Sequence, residues 1–326
     1  MTLDDLRRDI DRLDEVLVRL LNERARCVCE IGRLKKDQGI EVYQPDREKD
    51  VLKHVREAFG DRETIKREWR DLNFTSAPDW NRAKAEYERF VELASRAGAA
   101  IEFLPMASNT GMDSIYVRDA SVVTDRGVIL CRMGKPQREG EPPAQEAACR
   151  ALGVPVLGTI QAPGRLEGGD VLWLDERTVA VGRGYRSNTE GIRQFGDLLG
   201  DAVDDVLTVD LPHWRGPADV FHLMSIISPV DRDLAVVYSP LMPVSFRERL
   251  LARGTTLVEV PDDEFDSMGA NVLAISPRTC VMVAGNPKTR AALERAGAEV
   301  HEYEGTEISL KGGGGPTCLT RPLSRG

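Results

Sequence analysis

From about residue 67 to the C-terminus the chain repeats one pattern roughly every fifty residues, the kind of period that marks stacked supersecondary units. Four times an apolar segment reaches a polar turn, a second apolar segment returns, and a helical pattern and another strand follow. The turns are Asp125-Arg126-Gly127, Asp175-Glu176-Arg177, Asp231-Arg232-Asp233 and Ser276-Pro277-Arg278. Strands are expected at 121–124 with 128–131, 171–174 with 179–181, 225–227 with 234–238, and 272–275 with 281–284. Helices are expected at 143–152, 188–199, 244–253 and 287–296. A fifth unit would be closed from both ends of the region, by a helix at 81–97, a strand at 101–104 and a strand around Cys318. Units that cannot bury their own apolar faces must stack on one another. The expected fold class is therefore α/β, a closed ring of five ββαβ units, with an ordinary α+β domain as the competing reading.

The first residues follow another period. Leu3, Leu6, Ile10, Leu13, Leu17 and Leu20, then Arg24, Cys27, Ile31 and Leu34, recur in steps of three and four on one helix face. Thr2 with Asp5 forms a plausible N-terminal cap, Gly39 ends the pattern, and Pro45 opens a second helical segment over 46–55. The domains expected are a helical hairpin at 1–57, a linker at 58–66 and the repeat domain at 67–326. So long a stripe needs partner helices, from its own chain or a second copy. Arg24 interrupts the stripe, and a guanidinium on a packed seam needs an anion. It either snorkels to a nearby carboxylate or joins Arg7, Lys35 and Arg47 around an anion cavity.

Composition excludes several function classes. The 44 Lys and Arg against 53 Asp and Glu leave a formal charge of −9, which argues against nucleic acid and anionic membranes as partners. Hydrophobic residues at 41% with 30% charged fit a soluble globular protein. No apolar run approaches the roughly 18 residues of a spanning helix, and the charged N-terminus does not read as a secretory signal. Six Cys without a C-x-x-C pair, beside four His, supply neither a zinc framework nor a disulfide scaffold. The expectation is a cytoplasmic protein without a metal or other cofactor.

The chemically suggestive residues fall at corresponding places in the repeats. Asp119 precedes the first hairpin, Glu167 and Asp170 the second, His222 the third and Asn271 the fourth, while Cys318 opens the fifth. In a closed ring these positions converge on the axis. Taken singly, Cys318 can be a buried small hydrophobe, His222 a structural imidazole and Glu167-Gly-Gly-Asp170 a simple turn. Taken together they suit one reaction. Two carboxylates hold a planar guanidinium by its forked N–H donors. A thiolate then attacks the central carbon from one face, and an imidazole protonates the departing amine and later deprotonates water. The bound cation itself stabilises the thiolate, so no metal is required. The run Lys311-Gly-Gly-Gly-Gly-Pro-Thr-Cys318 would let backbone approach a ligand closely just before the thiol.

Residues 67–326 resemble the guanidino-modifying, or pentein, superfamily, in its dimethylarginine dimethylaminohydrolase-like branch. The motifs are Asp113-Ser-Ile-Tyr-Val-Arg-Asp119, Leu166-Glu-Gly-Gly-Asp170, Arg186-Ser-Asn-Thr189, His222-Leu-Met224 and Gly312-Gly-Gly-Gly-Pro-Thr-Cys318. The resemblance implies a five-bladed propeller and a covalent thiouronium. Cys318 would be the nucleophile, His222 the general acid/base and Glu167 the acid bridging His222 and the guanidinium. Asp119, with Asp170 nearby, would grip the guanidinium, Asp113 the substrate ammonium, and Arg138 with Arg186 its carboxylate. Arginine deiminases carry Asp two positions after the His, where this chain has Met224, which leaves room for an N-substituted guanidine. The implied substrate is a guanidino amino acid. Its hydrolysis would leave a citrulline-like product, with an amidinotransferase or a silent ligand-binding pentein as alternatives. Residues 1–57 resemble part of an all-helical chorismate mutase, with Arg7, Arg24, Lys35, Arg47 and Glu48 at its substrate-binding positions. Gln44 stands where that family has an acid and no third helix is evident. The segment is therefore expected to make a homodimer rather than to perform the rearrangement, with a chorismate-derived regulator as a further possibility.

Overall fold

The computed structural model describes residues 62–323 except 106 and 220. The expected helical hairpin, its cluster Arg7, Arg24, Lys35, Arg47 and Glu48, and the dimer contact it would make lie outside the described residues.

The described region opens with helix α1 (Arg62–Glu68), whose Ile65 is buried. Residues 62–66, expected as linker, thus already belong to the packed body. Helix α2 (Trp80–Arg96) follows, capped by the Asp79 side chain, which accepts from Arg82 N at 2.9 Å. Four units of equal topology come next. The first is β1 (Ser121–Thr124), β2 (Gly127–Leu130), α3 (Glu141–Ala151) and β3 (Val156–Thr159). The second is β4 (Val171–Trp173), β5 (Thr178–Arg183), α4 (Thr189–Leu199) and β6 (Asp205–Asp210). The third is β7 (Ile227–Asp231), β8 (Leu234–Val237), α5 (Val244–Ala252) and β9 (Thr256–Glu259). The fourth is β10 (Val272–Ser276), β11 (Thr279–Val283), α6 (Pro287–Arg295) and β12 (Glu299–Tyr303).

Each unit forms its own three-stranded sheet. The hairpin strands pair antiparallel, and the third strand adds parallel to the second after the helix. The middle strands are buried on both faces, which is why Val128-Ile-Leu130 and Leu234-Ala-Val-Val237 read as unbroken apolar runs. Neighbouring sheets share their cores: Ile129 of β2, Val181 of β5 and Phe195 of α4 lie in one cluster, and Val236 of β8 and Met282 of β11 in another.

Two expected strands of a fifth unit do not form. Residues 101–104 and the segment around Cys318 carry no strand, the latter being a series of turns. Four successive glycines and Pro316, which lacks an N–H, make a poor ladder partner. The expected helix is present as α2, which packs Phe90 against Tyr303 of β12 with ring centroids 5.1 Å apart. A third boundary also shifts. The strand expected at 225–227 begins instead at Ile227, because His222 N–H donates to Ser225 Oγ and winds 223–225 into a tight 3-10 turn. Among the described residues no helix is long and apolar enough to cross a membrane.

Candidate active site

The segments just before each hairpin meet around a cavity of about 410 Å³, lined by Asp119, His222, Asn271 and Cys318 among others. The repeat thus brings its chemistry-bearing residues together. Glu167 stands behind this wall, wholly buried, and accepts from three sides. Its Oε2 lies 2.7 Å from His222 Nε2. Its Oε1 accepts from Gly134 N at 2.7 Å and from Arg186 Nε at 3.0 Å. The other imidazole nitrogen, Nδ1, faces Asp119 Oδ1 at 4.0 Å. Gly169 must be glycine here, since a Cβ would stand 2.7 Å from His222 Nδ1 and 2.8 Å from Asp119 Oδ1.

Electrostatics set the protonation states. Burial opposes charge on His222, but the carboxylates of Asp119, Asp170 and Glu167 outweigh it and raise the imidazole pKa. Burial likewise opposes ionisation of Glu167, yet Arg186 and His222 hold it well below the usual carboxylate range. Asp119 stays ionised for the same reason, against burial, through His222 and Arg138. Burial and the nearby Asp119 push the Cys318 thiol up, while Thr317, Arg118 and Asn271 pull it back in part. An incoming cation at Asp119 would favour the thiolate.

The thiol is held by its neighbours rather than by a regular element. Asn271 Nδ2 lies 3.6 Å from Cys318 Sγ. Arg118 donates from Nε to Thr317 O at 2.7 Å and from its backbone N to Cys318 O at 3.1 Å. Gly312, Gly313 and Gly314 border the cavity, and the glycine run has a second use besides any approach to a ligand. A Cβ on Gly312 would lie 1.9 Å from Tyr116 Oη, and one on Gly314 2.3 Å from the Tyr116 ring, so these residues make room for Tyr116.

Two expected substrate ligands sit elsewhere in the network. Asp170 is fully buried beneath the site. It accepts from Ser187 Oγ at 2.6 Å and from Leu223 N at 2.9 Å, and burial raises its pKa to about 6 despite these donors. It fixes the backbone next to His222 and does not reach the cavity wall. Arg138 borders the cavity but its fork is taken: Nε and Nη2 each donate to Glu141 at 2.8 Å, and Nη1 to Asp119 Oδ2 at 2.7 Å. A guanidinium matched by two buried carboxylates orients Asp119. Arg186 and Asp113 both line the cavity as expected. Arg186 Nη2 lies 2.9 Å from Glu167 Oε2 without forming an aligned hydrogen bond.

Asp119, Glu167 and His222 also bring metal-ligand-type atoms within 4.8 Å of one another. Arg138 and Arg186 already occupy both carboxylates, so a cation there would compete with two guanidinium groups. The donor set suits a guanidinium better than a metal ion. Sequence reasoning passed over Lys135, Glu141, Arg118 and Thr317. Glu141 follows Arg138 by three residues, an ordinary pairing distance at a helix start, and was legible on that ground. The apolar wall of Trp214, Phe221, Met224, Phe265 and Met268 comes from three separate segments with no shared motif.

Four ββαβ sheets around a cavity with a thiol, an imidazole and two carboxylates define an amidine hydrolase of the pentein class. The comparisons with known proteins agree. The family model for N,N dimethylarginine dimethylhydrolase, eukaryotic, matches residues 61–325, and that for chorismate mutase type II matches 6–73. The N(G),N(G)-dimethylarginine dimethylaminohydrolase of Streptomyces coelicolor is 29% identical over 249 residues, 74% of this chain and 86% of that protein. The solved N-terminal domain of ArgZ, a cyanobacterial arginine dihydrolase, superposes with TM-score 0.68 at 22% identity, covering 76% of this chain and 88% of that one. The dimethylarginine dimethylaminohydrolase of Pseudomonas aeruginosa, complexed with citrulline, gives 0.66 at 24% identity, covering 79% and 94%. The chain belongs to the dimethylarginine dimethylaminohydrolase family of the pentein superfamily, hydrolases of C–N bonds in linear amidines.

Proposed function

We propose that the chain hydrolyses the guanidine of an N-substituted arginine through a covalent thiouronium on Cys318. The observation that carries this reading is the shared cavity of Cys318, Asp119 and a His222 buttressed by buried Glu167. The guanidinium docks against Asp119, and its charge favours release of the Cys318 proton to water. The thiolate forms a C–S bond to the central carbon. As the C–N bond breaks, His222 gives its proton to the departing amine, leaving a thiouronium. Neutral imidazole then takes a proton from water, whose oxygen attacks the same carbon. Cleavage of the C–S bond returns the thiolate and leaves a ureido product. Met224, two residues past His222 on the cavity wall, offers an apolar surface to an N-methyl group rather than a carboxylate to a bare nitrogen.

The test is to incubate the protein with arginine and its N-methylated forms, with and without an amine acceptor, and to identify products by mass. A ureido amino acid and methylamine or dimethylamine, independent of acceptor, support the reading. Product appearing only with the acceptor would make the chain an amidinotransferase. Preference for arginine would remove the role given to Met224.

A fifth repeat unit, built from α2, residues 97–105 and the turns around Cys318, is part of this reading, as is a homodimer made through residues 1–57. The family match over 6–73 supports the resemblance on which the second rests. Deleting residues 1–57 should lower the oligomeric mass, and an unchanged mass would remove that role.

A further inference from the structure

A guanidinium taken out of water ordinarily pairs with a carboxylate, as Arg138 does with Asp119 and Arg186 with Glu167. Arg118 is different. It is 9% exposed and borders the cavity, yet it forms no ion pair among the described residues. Its sequence neighbour Asp119 has its oxygens on Arg138 Nη1 and Gly169 N. What Arg118 holds is the nucleophile loop. Its Nε donates to Thr317 O at 2.7 Å, its Nη2 to Thr320 Oγ1 at 3.3 Å and its backbone N to Cys318 O at 3.1 Å. Arg321 in turn donates from Nη2 to the Arg118 carbonyl, and its buried Nε has no hydrogen-bond partner. Among the described residues, two cations therefore stand at the Cys318 loop with no carboxylate paired to either.

We propose that Arg118 positions Cys318 and keeps an unpaired cation at the nucleophile loop, whose charge is matched only when the thiol gives up its proton. This rests on reading Cys318 as the nucleophile. A buried guanidinium without an anion carries a desolvation penalty, and an anion formed near it relieves that penalty. Burial lowers the Arg118 pKa, and the charge of Cys318 raises it again, ahead of that of Asp119. The effect is mutual. Burial and Asp119 push the thiol up, while Thr317, Arg118 and Asn271 pull it down, and of these three only Arg118 carries charge. The other titratable groups nearby do not take this role. The phenols of Tyr116 and Tyr303 are raised by burial and stay neutral. His222 places Nε2 on Glu167 and turns Nδ1 toward Asp119. A guanidinium at Asp119 favours the thiolate only once substrate is bound, whereas Arg118 acts on the free enzyme.

The experiment follows alkylation of Cys318 by iodoacetamide, an uncharged reagent, across pH in the full chain, with peptide mapping to separate Cys318 from the other cysteines. The wild type is compared with Arg118→Gln, which keeps an N–H for Thr317 O, and Arg118→Lys, which keeps the charge. Arg118→Gln should move the alkylation midpoint up by about one pH unit or more, the low end of what a neighbouring opposite charge does. At a fixed pH below the midpoint that is a loss of about tenfold in rate. Arg118→Lys should keep the midpoint near the wild-type value. A merely structural role gives another pattern: slower alkylation at every pH with an unmoved midpoint, or a lysine variant as displaced as the glutamine one. Each of those outcomes overturns the proposal. Should Arg118→Gln fail to fold, Arg118→Met, of similar length and also uncharged, gives the same comparison. The readout needs no turnover. If the wild type hydrolyses no guanidine and the midpoint still moves, the reaction is wrong and the role of Arg118 stands. If turnover runs through Cys318 and the midpoint stays in place, the role of Arg118 alone falls.

Discussion

Asn271 and Thr317 are joined by two hydrogen bonds: Thr317 donates to Asn271 Oδ1 from its backbone N at 3.0 Å and from its hydroxyl at 2.9 Å. The amide on the same side chain then points at Cys318 Sγ. One residue before the fourth hairpin therefore sets both the course of the nucleophile loop and the polarity around the thiol. Asn271→Ala should leave two buried donors of Thr317 unsatisfied, costing about 1–3 kcal/mol each by ordinary desolvation. Denaturant unfolding and adduct kinetics should show a less stable protein whose thiol reacts more slowly. Unimpaired reactivity would mean that the loop holds its course without Asn271.

The thiol prediction is specific to one of the four described cysteines. Cys131 and Cys280 are wholly buried, and burial pushes the Cys280 thiol up to about 12. Cys318 alone among the four borders the cavity. Cys318→Ser should abolish turnover with little change in melting temperature, because the exchange is nearly isosteric. Peptide mapping of a substrate adduct onto Cys131 or Cys280 would overturn the assignment.

The His222 charge has a signature in stability. Its folded pKa lies above the ordinary 6.5, so protonation contributes stability that is complete below 6.5 and is lost as pH rises through the folded value. His222→Gln should therefore cost more at pH 6 than at pH 9 in matched urea titrations. A difference constant across that range would show that the carboxylates do not charge the ring.

Much of this arrangement was legible before any coordinates. The four turns and helices follow from local patterning, because each unit repeats the same burial: a middle strand apolar on both faces and a helix covering it. Cys318, His222, Glu167 and Asp119 were legible because repetition maps them to equivalent places. The two strands of the fifth unit were overread, since turn-forming glycines and Pro316 determine the tail more strongly than its few apolar residues do. The partners of Asp170 and Arg138 were not legible for a different reason. Sequence spacing says that an acid or a guanidinium is near the site but not which way its lone pairs or N–H donors point. That depends on long-range partners such as Leu223 N for Asp170 and Asp119 for Arg138.

The Arg138–Glu141 pair supplies the last prediction, and it separates two roles for the arginine. Glu141 is buried, and it accepts two hydrogen bonds from Arg138. Burial alone would lower the arginine's pKa, but Glu141 and Asp119 hold it well above the ordinary value, so it stays charged. Glu141→Gln removes one charge from a buried pair, a change that typically costs about 3–5 kcal/mol. Asp119 keeps a cation that is now less well anchored, and its grip on the guanidinium loosens. Catalytic efficiency should therefore fall to a similar degree on N-methylarginine and on its decarboxylated analogue, together with a lower melting temperature. If Glu141→Gln instead tightens binding of the acid and leaves the decarboxylated analogue unaffected, the freed fork has found the substrate carboxylate. Arg138 would then be a substrate ligand after all, and its role in orienting Asp119 would be the part to abandon.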